Sequence, residues 1–539
     1  MIEKINNWDR QISVSIAILT VFAAVLAYLQ MTASNLNSEY RADSSRYAIE
    51  AMRLRSTGET RSSFEASHVL RLSELVEQQK TLAEGREDAA TADKLDAVEE
   101  ALRALSPVLR EPYAALGDAA VAQYETDSYL VDAVRAEQMR AAVTALDSAW
   151  DTKANTYVVH LTLIAVVLAL LGLAQAMTDL PRVMVLAVSA VMAAVTVGWT
   201  VSTYAQPLPV LSRPAIDAFA VGYGAAYRGD SEAALKSYDE AVKQLPTYAD
   251  AHFERGMMLY SLGRTEDALQ SMAAARANEY DAASVDSMES YLLMMLGRHA
   301  DAEATAQRWV AREPESRSAL GALLLAQAAR DQLDAAKATM AKLQEIAGAS
   351  IRKQVEAGAG VDDATVDDLD ETADLLRDVV SASQGNDEEI KKVTLSDASR
   401  DAVSEMSRAL RSQAMRAAFG ITAEATGKAS GLAVGLFDGE QFAEAESVAA
   451  ATKVLAVRMN AEGIGPDAHL LVRFYEGGFE NAALRYVSTW QDAGSGEVVI
   501  AVPIDIGEAY VLNPGEYEIE VYIDGVMQGD RAPFTVAAE

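Results

Sequence analysis

Residues Gly222–Pro246 read GYGAAYRGDSEAALKSYDEAVKQLP, and Arg255–Ala275 read RGMMLYSLGRTEDALQSMAAA. Shifted by 34 residues the two stretches superpose. Gly222 falls on Gly256, Gly229 on Gly263, Ala234 on Ala268, Tyr238 on Met272 and Ala241 on Ala275. The same spacing continues through Gly297, Ala302 and Ala336. Pro246 and Pro314 lie 68 apart, with Tyr280 at the position between them. A fixed period of this length is the signature of stacked helical units. No single unit can bury its apolar face, so neighbours must stack. Small residues stand where two helices of a unit approach, and large apolar ones fill the space between units.

Fainter copies follow as YLLMMLGRHADAEATAQRWVAREP at 291–314 and LLLAQAARDQLDAAKATMAKL at 323–343. Across residues 215–348, in three to four copies, the pattern resembles the tetratricopeptide repeat family. The resemblance implies an α-solenoid whose concave face takes a partner, and a role as scaffold or co-receptor. Gly263 and Ala268 are expected in the seam of their helix pair, where an indole would not fit.

Three uncharged runs stand upstream: 12–30, 155–178 and 183–204. Each reaches the ~20 residues a helix needs to cross ~30 Å of hydrocarbon. The first reads as an uncleaved anchor behind a short tail (1–11), because no small-x-small cleavage pattern follows Leu29. Pro181 lies in the tight turn TDLPR between the second and third runs. Two crossings separate 31–154 from 205–539, so both lie on one side. Lys4, Arg10 and Arg182 lie on the other, which the positive-inside rule assigns to the cytoplasm. The soluble regions are thus expected to be extracytoplasmic. His160, near the start of the second run, is expected at the membrane interface. Small residues recur along the third run at Ser189, Ala190, Ala193, Ala194 and Gly198, a spacing that allows close helix packing.

Residues 31–154 carry amphipathic helical stripes, such as Leu95, Val98, Leu102 and Leu105, with breaks expected at Gly85, Ser106-Pro107 and Glu111-Pro112. They read as a helical bundle with coiled-coil character, whose place between two spans resembles sensor domains of bacterial receptors. Residues 349–418 read as an acidic helical linker. Within it, VDDATVDDLDETAD (361–374) lacks the glycine and terminal glutamate of a calcium loop. It is expected to turn its acids to solvent around an apolar face of Leu369, Ala373, Leu376 and Val380. Ser381–Glu388 reads as a connection.

From residue 419 to 539 alternation replaces helical spacing. Glu516-Tyr517-Glu518-Ile519-Glu520-Val521-Tyr522-Ile523 alternates strictly, which predicts one wet and one buried face. Asp524-Gly525 is a hairpin turn. With VRFYEGG, GSGEVVIAVP, NPGEYEIEVYIDG and APFTV, the segment resembles immunoglobulin-like β-sandwich modules of bacterial membrane-associated and exported proteins. Phe474, Tyr517, Tyr522 and Phe534 are expected in its core. The fold class is therefore mostly α: three transmembrane helices, a helical bundle and a repeat solenoid, with a C-terminal β-sandwich.

Composition narrows the chemistry. The 539 residues carry a net charge of -33 and no cysteine, which sets aside disulfides, thiol catalysis and thiolate metal sites. The five histidines are scattered and form no metal pair. A charge so negative reads against a nucleic-acid partner. No catalytic motif occurs, so the sequence gives no catalytic residue, cofactor, metal or small-molecule substrate. The functional expectation is a non-enzymatic, membrane-anchored scaffold or assembly protein that binds protein partners or forms a homo-oligomer. A membrane sensor built on the 31–154 bundle and an accessory subunit of a membrane enzyme or transporter are the alternatives.

Overall fold

The computed structural model describes residues 2–537 except 87, 358–360, 386–389, 391, 420, 422–426, 438–440, 466–467, 477–478, 482–483, 491–493, 505–511 and 530. The chain is mostly helical with a C-terminal β region. It divides into two units, Met1–Tyr280 and Asp281–Glu539.

The first unit opens with α1 (Ile2–Phe64), followed by a π-helical turn at Glu65–Leu70. Then come α2 (Arg71–Gly85), α3 (Ala89–Leu105) and α4 (Ala120–Glu125). A second π-helical turn at Thr126–Leu130 leads into α5 (Val131–Ala176), and α6 (Asp179–Ala205) returns beside it. The breaks at Gly85 and before Ser106-Pro107 fall at the ends of α2 and α3. The expected tail 1–11 needs correction, because helix begins at Ile2 and runs without interruption through the apolar segment into the polar arm.

α1 and α5 lie antiparallel along their length. Asn37 Nδ2 donates to Asp147 Oδ1 at 2.7 Å, Ser44 and Thr144 share a hydrogen bond at 2.8 Å, and Arg55 Nη2 reaches Glu137 Oε2 at 2.7 Å. In the apolar stretch Leu26 packs with Tyr157 and Ile164. Ile12 packs with Val167 and Leu171 against Val185 and Leu186 of α6. The outer faces expose Val21, Val191 and Val201, a surface suited to hydrocarbon. Three helices are long and apolar enough to cross a membrane. At one end of this bundle Lys153 Nζ donates to the carbonyls of Tyr204 (3.3 Å) and Gln206 (2.8 Å), covering C-terminal carbonyls that α6 leaves free. At the other end Arg182 pairs with Asp9.

The unit closes with two helical hairpins, α7 (Arg213–Tyr227) with α8 (Ser231–Gln244) and α9 (Ala249–Ser261) with α10 (Thr265–Ala277). Ser212 and Asp230 cap α7 and α8 by accepting from Ala215 N (3.4 Å) and Ala233 N (3.0 Å). The first hairpin shares a core with the arm. Ile216, Phe219 and Ala220 of α7 pack with Leu130, Val134 and Met139.

The second unit begins with two more hairpins, α11 (Ala282–Met295) with α12 (His299–Arg312) and α13 (Arg317–Ala329) with α14 (Leu333–Glu356). α15 (Asp363–Ser383) and α16 (Asp397–Ala418) then pair through Leu369, Leu376, Val403 and Leu410, all fully buried. Residues 349–418 are therefore no linker, since two of their helices carry core. The expected connection 381–388 is helical to Ser383, and its residues 386–388 lie outside the described residues.

The strands are β1 (Lys428–Phe437), β2 (Phe442–Glu444), β3 (Ser447–Ala449), β4 (Val454–Ile464), β5 (His469–Glu476) and β6 (Phe479–Glu480). They continue with β7 (Tyr486–Thr489), β8 (Gly494–Pro503), β9 (Gly515–Ile523), β10 (Val526–Met527) and β11 (Ala532–Ala537). One sheet has the order β2-β1-β4-β8. The other runs β3-β11-β9-β5-β6, with β7 on β5 and β10 on β9. Met459, Val472, Phe474, Val502, Tyr517 and Ile519 belong to the core they share. Asp524 and Gly525 turn the chain from β9 to β10 with φ of 49° and 73°.

Candidate functional site

The repeat-defining residues occupy the seams and turns of the hairpins. Ala234, Tyr238 and Ala241 of α8, and Ala268, Met272 and Ala275 of α10, are fully buried, as are Ala302 of α12 and Ala336 of α14. A Cβ on Gly222 would lie 2.9 Å from Tyr238 Cε1, and one on Gly256 would lie 2.5 Å from Met272 Cε. Each glycine is thus the hollow that admits the large side chain 16 residues on. Gly229, Gly263 and Gly297 turn their hairpins with φ of 77°, 73° and 68°. In the fourth hairpin Asp331 takes the same left-handed position at φ 59°. Pro246 and Pro314 sit exposed in the turns after α8 and α12. One expectation is corrected: nothing lies within 4 Å of a Cβ built on Gly263, so its constraint is backbone conformation and not seam packing.

A glycine outside the period matters as much. A Cβ on Gly224 would stand 2.7 Å from Thr126 Cγ2 and 2.8 Å from Val131 Cγ2, where α7 crosses the arm. Tyr227 OH donates to Glu125, Arg135 Nε donates to Asp217 Oδ1 at 2.7 Å, and Tyr248 OH donates to Gln138 at 2.8 Å. The Glu125 hydrogen bond, then burial, pushes the Tyr227 pKa up to about 12.

In the apolar bundle His160 is fully buried between α5 and α6. Its Nδ1 lies 3.2 Å from Thr200 Oγ1 and its ring meets Trp199 edge-on at 4.7 Å. It faces the seam between the two helices. Ser189 is buried in α6, but a Cβ on Gly198 would touch nothing within 4 Å.

The largest departure from the sequence reading lies on the second face of the β9 sheet. Tyr517, Ile519 and Val521 point into the sheet core as alternation predicts. The opposite face was expected to be wet. Instead Glu520 and Tyr522 are fully buried, with Arg473 and Tyr475 beside them. Glu520 Oε1 meets Arg531 Nε at 2.7 Å and Arg411 Nη1 at 3.3 Å. Its Oε2 accepts from Tyr522 OH at 2.6 Å and Tyr475 OH at 2.7 Å. From α15, Asp370 reaches Arg473 Nη2 at 3.0 Å, and Asp374 pairs with Arg411 and Arg531. Glu518 also reaches Arg531 Nη1 at 3.1 Å, so three guanidinium groups face four carboxylates. Burial works to lower the Arg411 pKa, but Glu520, Asp374 and Asp370 outweigh it and leave it raised. Burial pushes the Glu520 carboxyl up against the opposing pull of Arg411 and Arg473. The expectation that 361–374 turns its acids to solvent is corrected for Asp370, Asp374 and also Asp368, which Arg317 Nε holds at 2.8 Å. Tyr522 belongs to this polar seam and not to the apolar core. The sequence signal was Arg473, one charge inside the apolar run LLVRFY.

No family model and no curated protein matches the chain. Among solved structures, Pseudomonas fluorescens alkylpurine DNA glycosylase AlkC bound to DNA containing an abasic site analog matches at 14% identity. The match covers 60% of this chain and 92% of that chain, with a TM-score of 0.22. Its activity and its DNA are statements about that protein. Two exclusions drawn from the sequence are withdrawn: that the chain is not an enzyme, and that nucleic acid is no partner. Neither is retained, because net charge is a global sum that says nothing of local surface, and a missing motif is not a missing site.

Among the described residues no group of three His, Asp or Glu side chains is arranged to hold a metal ion. A cavity of about 380 Å³ opens between α11, α13 and α15. Gly321 of α13 permits the approach of α15, for a Cβ there would stand 2.7 Å from Thr372 Oγ1.

Proposed function

We propose that the chain is a membrane-anchored scaffold that gathers other proteins through its helical hairpins and its β region. One observation carries the reading: the apolar helices continue without a break into the polar arm, and the arm shares a core with the first hairpin. α1 and α5 pass from the apolar bundle into the arm without a break, and α7 locks onto that arm through Gly224, Tyr227 and Asp217. An anchor of this kind presents the first hairpin at a fixed height and orientation, and weak contacts along the chain add through effective concentration. The 34-residue period, the glycine hollows and the left-handed turns support a tetratricopeptide-like solenoid, and the two sheets with a common core support an immunoglobulin-like sandwich. On the positive-inside rule the arm, hairpins and β region face the extracytoplasmic side. Gentle extraction into lipid nanodiscs after brief cross-linking tests the reading. Partner chains linked to the hairpin helices are the expected result, and a chain that never cross-links to another protein overturns it.

A sensor is the second reading, favoured by the π-helical turns at Glu65–Leu70 and Thr126–Leu130. Both interrupt the arm where polar groups are buried: Glu65 accepts from Ser106, and Ser62 donates to Glu125. π-Turns inside helices are frequent at functional sites.

A further inference from the structure

We propose that the cavity between α11, α13 and α15 binds a small organic cation, its apolar body inside and its ammonium or guanidinium group at Glu371. This inference is independent of the scaffold reading. The volume, about 380 Å³, falls in the ~300–1,000 Å³ range of small-molecule sites. Apolar and aromatic side chains supply most of the wall: Met288, Met294, Trp309, Leu325, Leu375 and Ile390. Trp309, Leu325 and Ile390 are themselves buried, so the wall is held by the core behind it.

The two acidic residues at the rim differ in a way that selects the ligand's charge. Asp368 is already neutralised, since Arg317 Nε lies at 2.8 Å and Ser318 Oγ donates at 2.9 Å. Glu371 lies one turn further along α15 and has no ion pair or hydrogen bond among the described residues. Burial, then Asp368, Asp367 and Asp374, push its pKa upward. Glu371 thus brings to the apolar wall a carboxylate that no cation answers among the described residues. An anion would be repelled there and a neutral apolar molecule would leave the carboxylate unanswered. A cation with an apolar body satisfies both surfaces, and the aromatic residues Trp309 and Tyr291 in the lining suit it.

The test uses the full-length chain in phosphatidylcholine nanodiscs, with three water-soluble probes of one shape: phenethylammonium, 2-phenylethanol and 3-phenylpropionate. Binding is measured by calorimetry and by saturation-transfer NMR. Phenethylammonium is expected to bind about tenfold more tightly than 3-phenylpropionate, a gap equivalent to ~1.4 kcal/mol. Glu371→Gln, a rim substitution that leaves the fold intact, is expected to erase that preference while 2-phenylethanol binds as before. Ala322→Trp, which fills the cavity, is expected to abolish binding of all three. Equal affinity for the cation and the anion, unchanged cation binding in Glu371→Gln, or no saturation transfer to phenethylammonium at millimolar concentration would each overturn the proposal.

Discussion

Arg411 of α16 and Glu520 of β9 meet at 3.3 Å, and both side chains are at most 2% exposed. The pair joins a helix to the face of a sheet that alternation had assigned to solvent. Breaking one partner of such a buried network leaves an uncompensated charge, which costs ~3–5 kcal/mol. Arg411→Met is therefore expected to lower the melting temperature of the second unit and to open the β region to protease. Combined with Glu520→Leu, which removes the stranded carboxylate, it should recover part of the loss. A neutral effect of Arg411→Met alone would contradict the role given to the network.

The same seam changes what truncation does. A chain ending at residue 419 loses Glu520, Arg473 and Arg531, and so strips the sheet partners from Asp370, Asp374 and Arg411 while leaving their pairs with one another. Loss of cooperative unfolding in α15 and α16 is expected, read by hydrogen exchange. A truncated chain that keeps full protection there would show that the β region is an independent appendage.

Within the repeats, two glycine classes should separate experimentally. Gly256→Leu drives a side chain into Met272 and is expected to cost ~1–3 kcal/mol by overpacking. Gly263→Ala meets open space, and only its left-handed φ is penalised, by ~1 kcal/mol. Thermal melts of the full chain check the order. A larger loss for Gly263→Ala would refute the placement of the seam.

Much of this was legible in the sequence. The period placed the hairpins, their turns and their buried alanines, because each hairpin is built from contacts local in sequence. The apolar runs marked the three long helices for the same reason. The sheet's second face was not legible: nothing local distinguishes Glu520, fully buried, from a solvated strand residue such as Glu516. Its burial depends on Asp370 and Arg411, more than 100 residues upstream. Gly224 was invisible for a related reason, since it answers to Thr126 on the arm and not to its own repeat.

Acidity should act on the second hairpin of the first unit. Burial, and for Glu254 also its neighbour Asp250, raise both carboxyl pKa values in α9. A folded pKa above the unfolded value means the folded state holds protons longer, so this stability is present at low pH and lost as pH rises through the folded pKa. Glu254→Gln is expected to stabilise the chain at neutral pH by ~0.5–1 kcal/mol and to flatten the fall in stability above the ordinary carboxylate range. Destabilisation at pH 7 would reverse the sign assigned here.

Sidedness rests on three cations, one of which, Arg182, is paired with Asp9. Protease added to intact cells is expected to remove the β region and to cut the arm while leaving the turn between α5 and α6 untouched. Protection of both soluble regions until the membrane is broken would invert the orientation.

The scaffold reading meets its most direct test in photo-cross-linking from within native membranes. A photoreactive residue at Tyr291, on α11 beside the cavity, and a second at Tyr486 in the β region are activated before extraction, and the products are resolved by mass. The account predicts discrete adducts with other protein chains at the hairpin position, reproducible between preparations and lost when α11–α14 are unfolded by Ala302→Trp. A chain that yields only un-cross-linked monomer at both positions, with its fold intact, would contradict it.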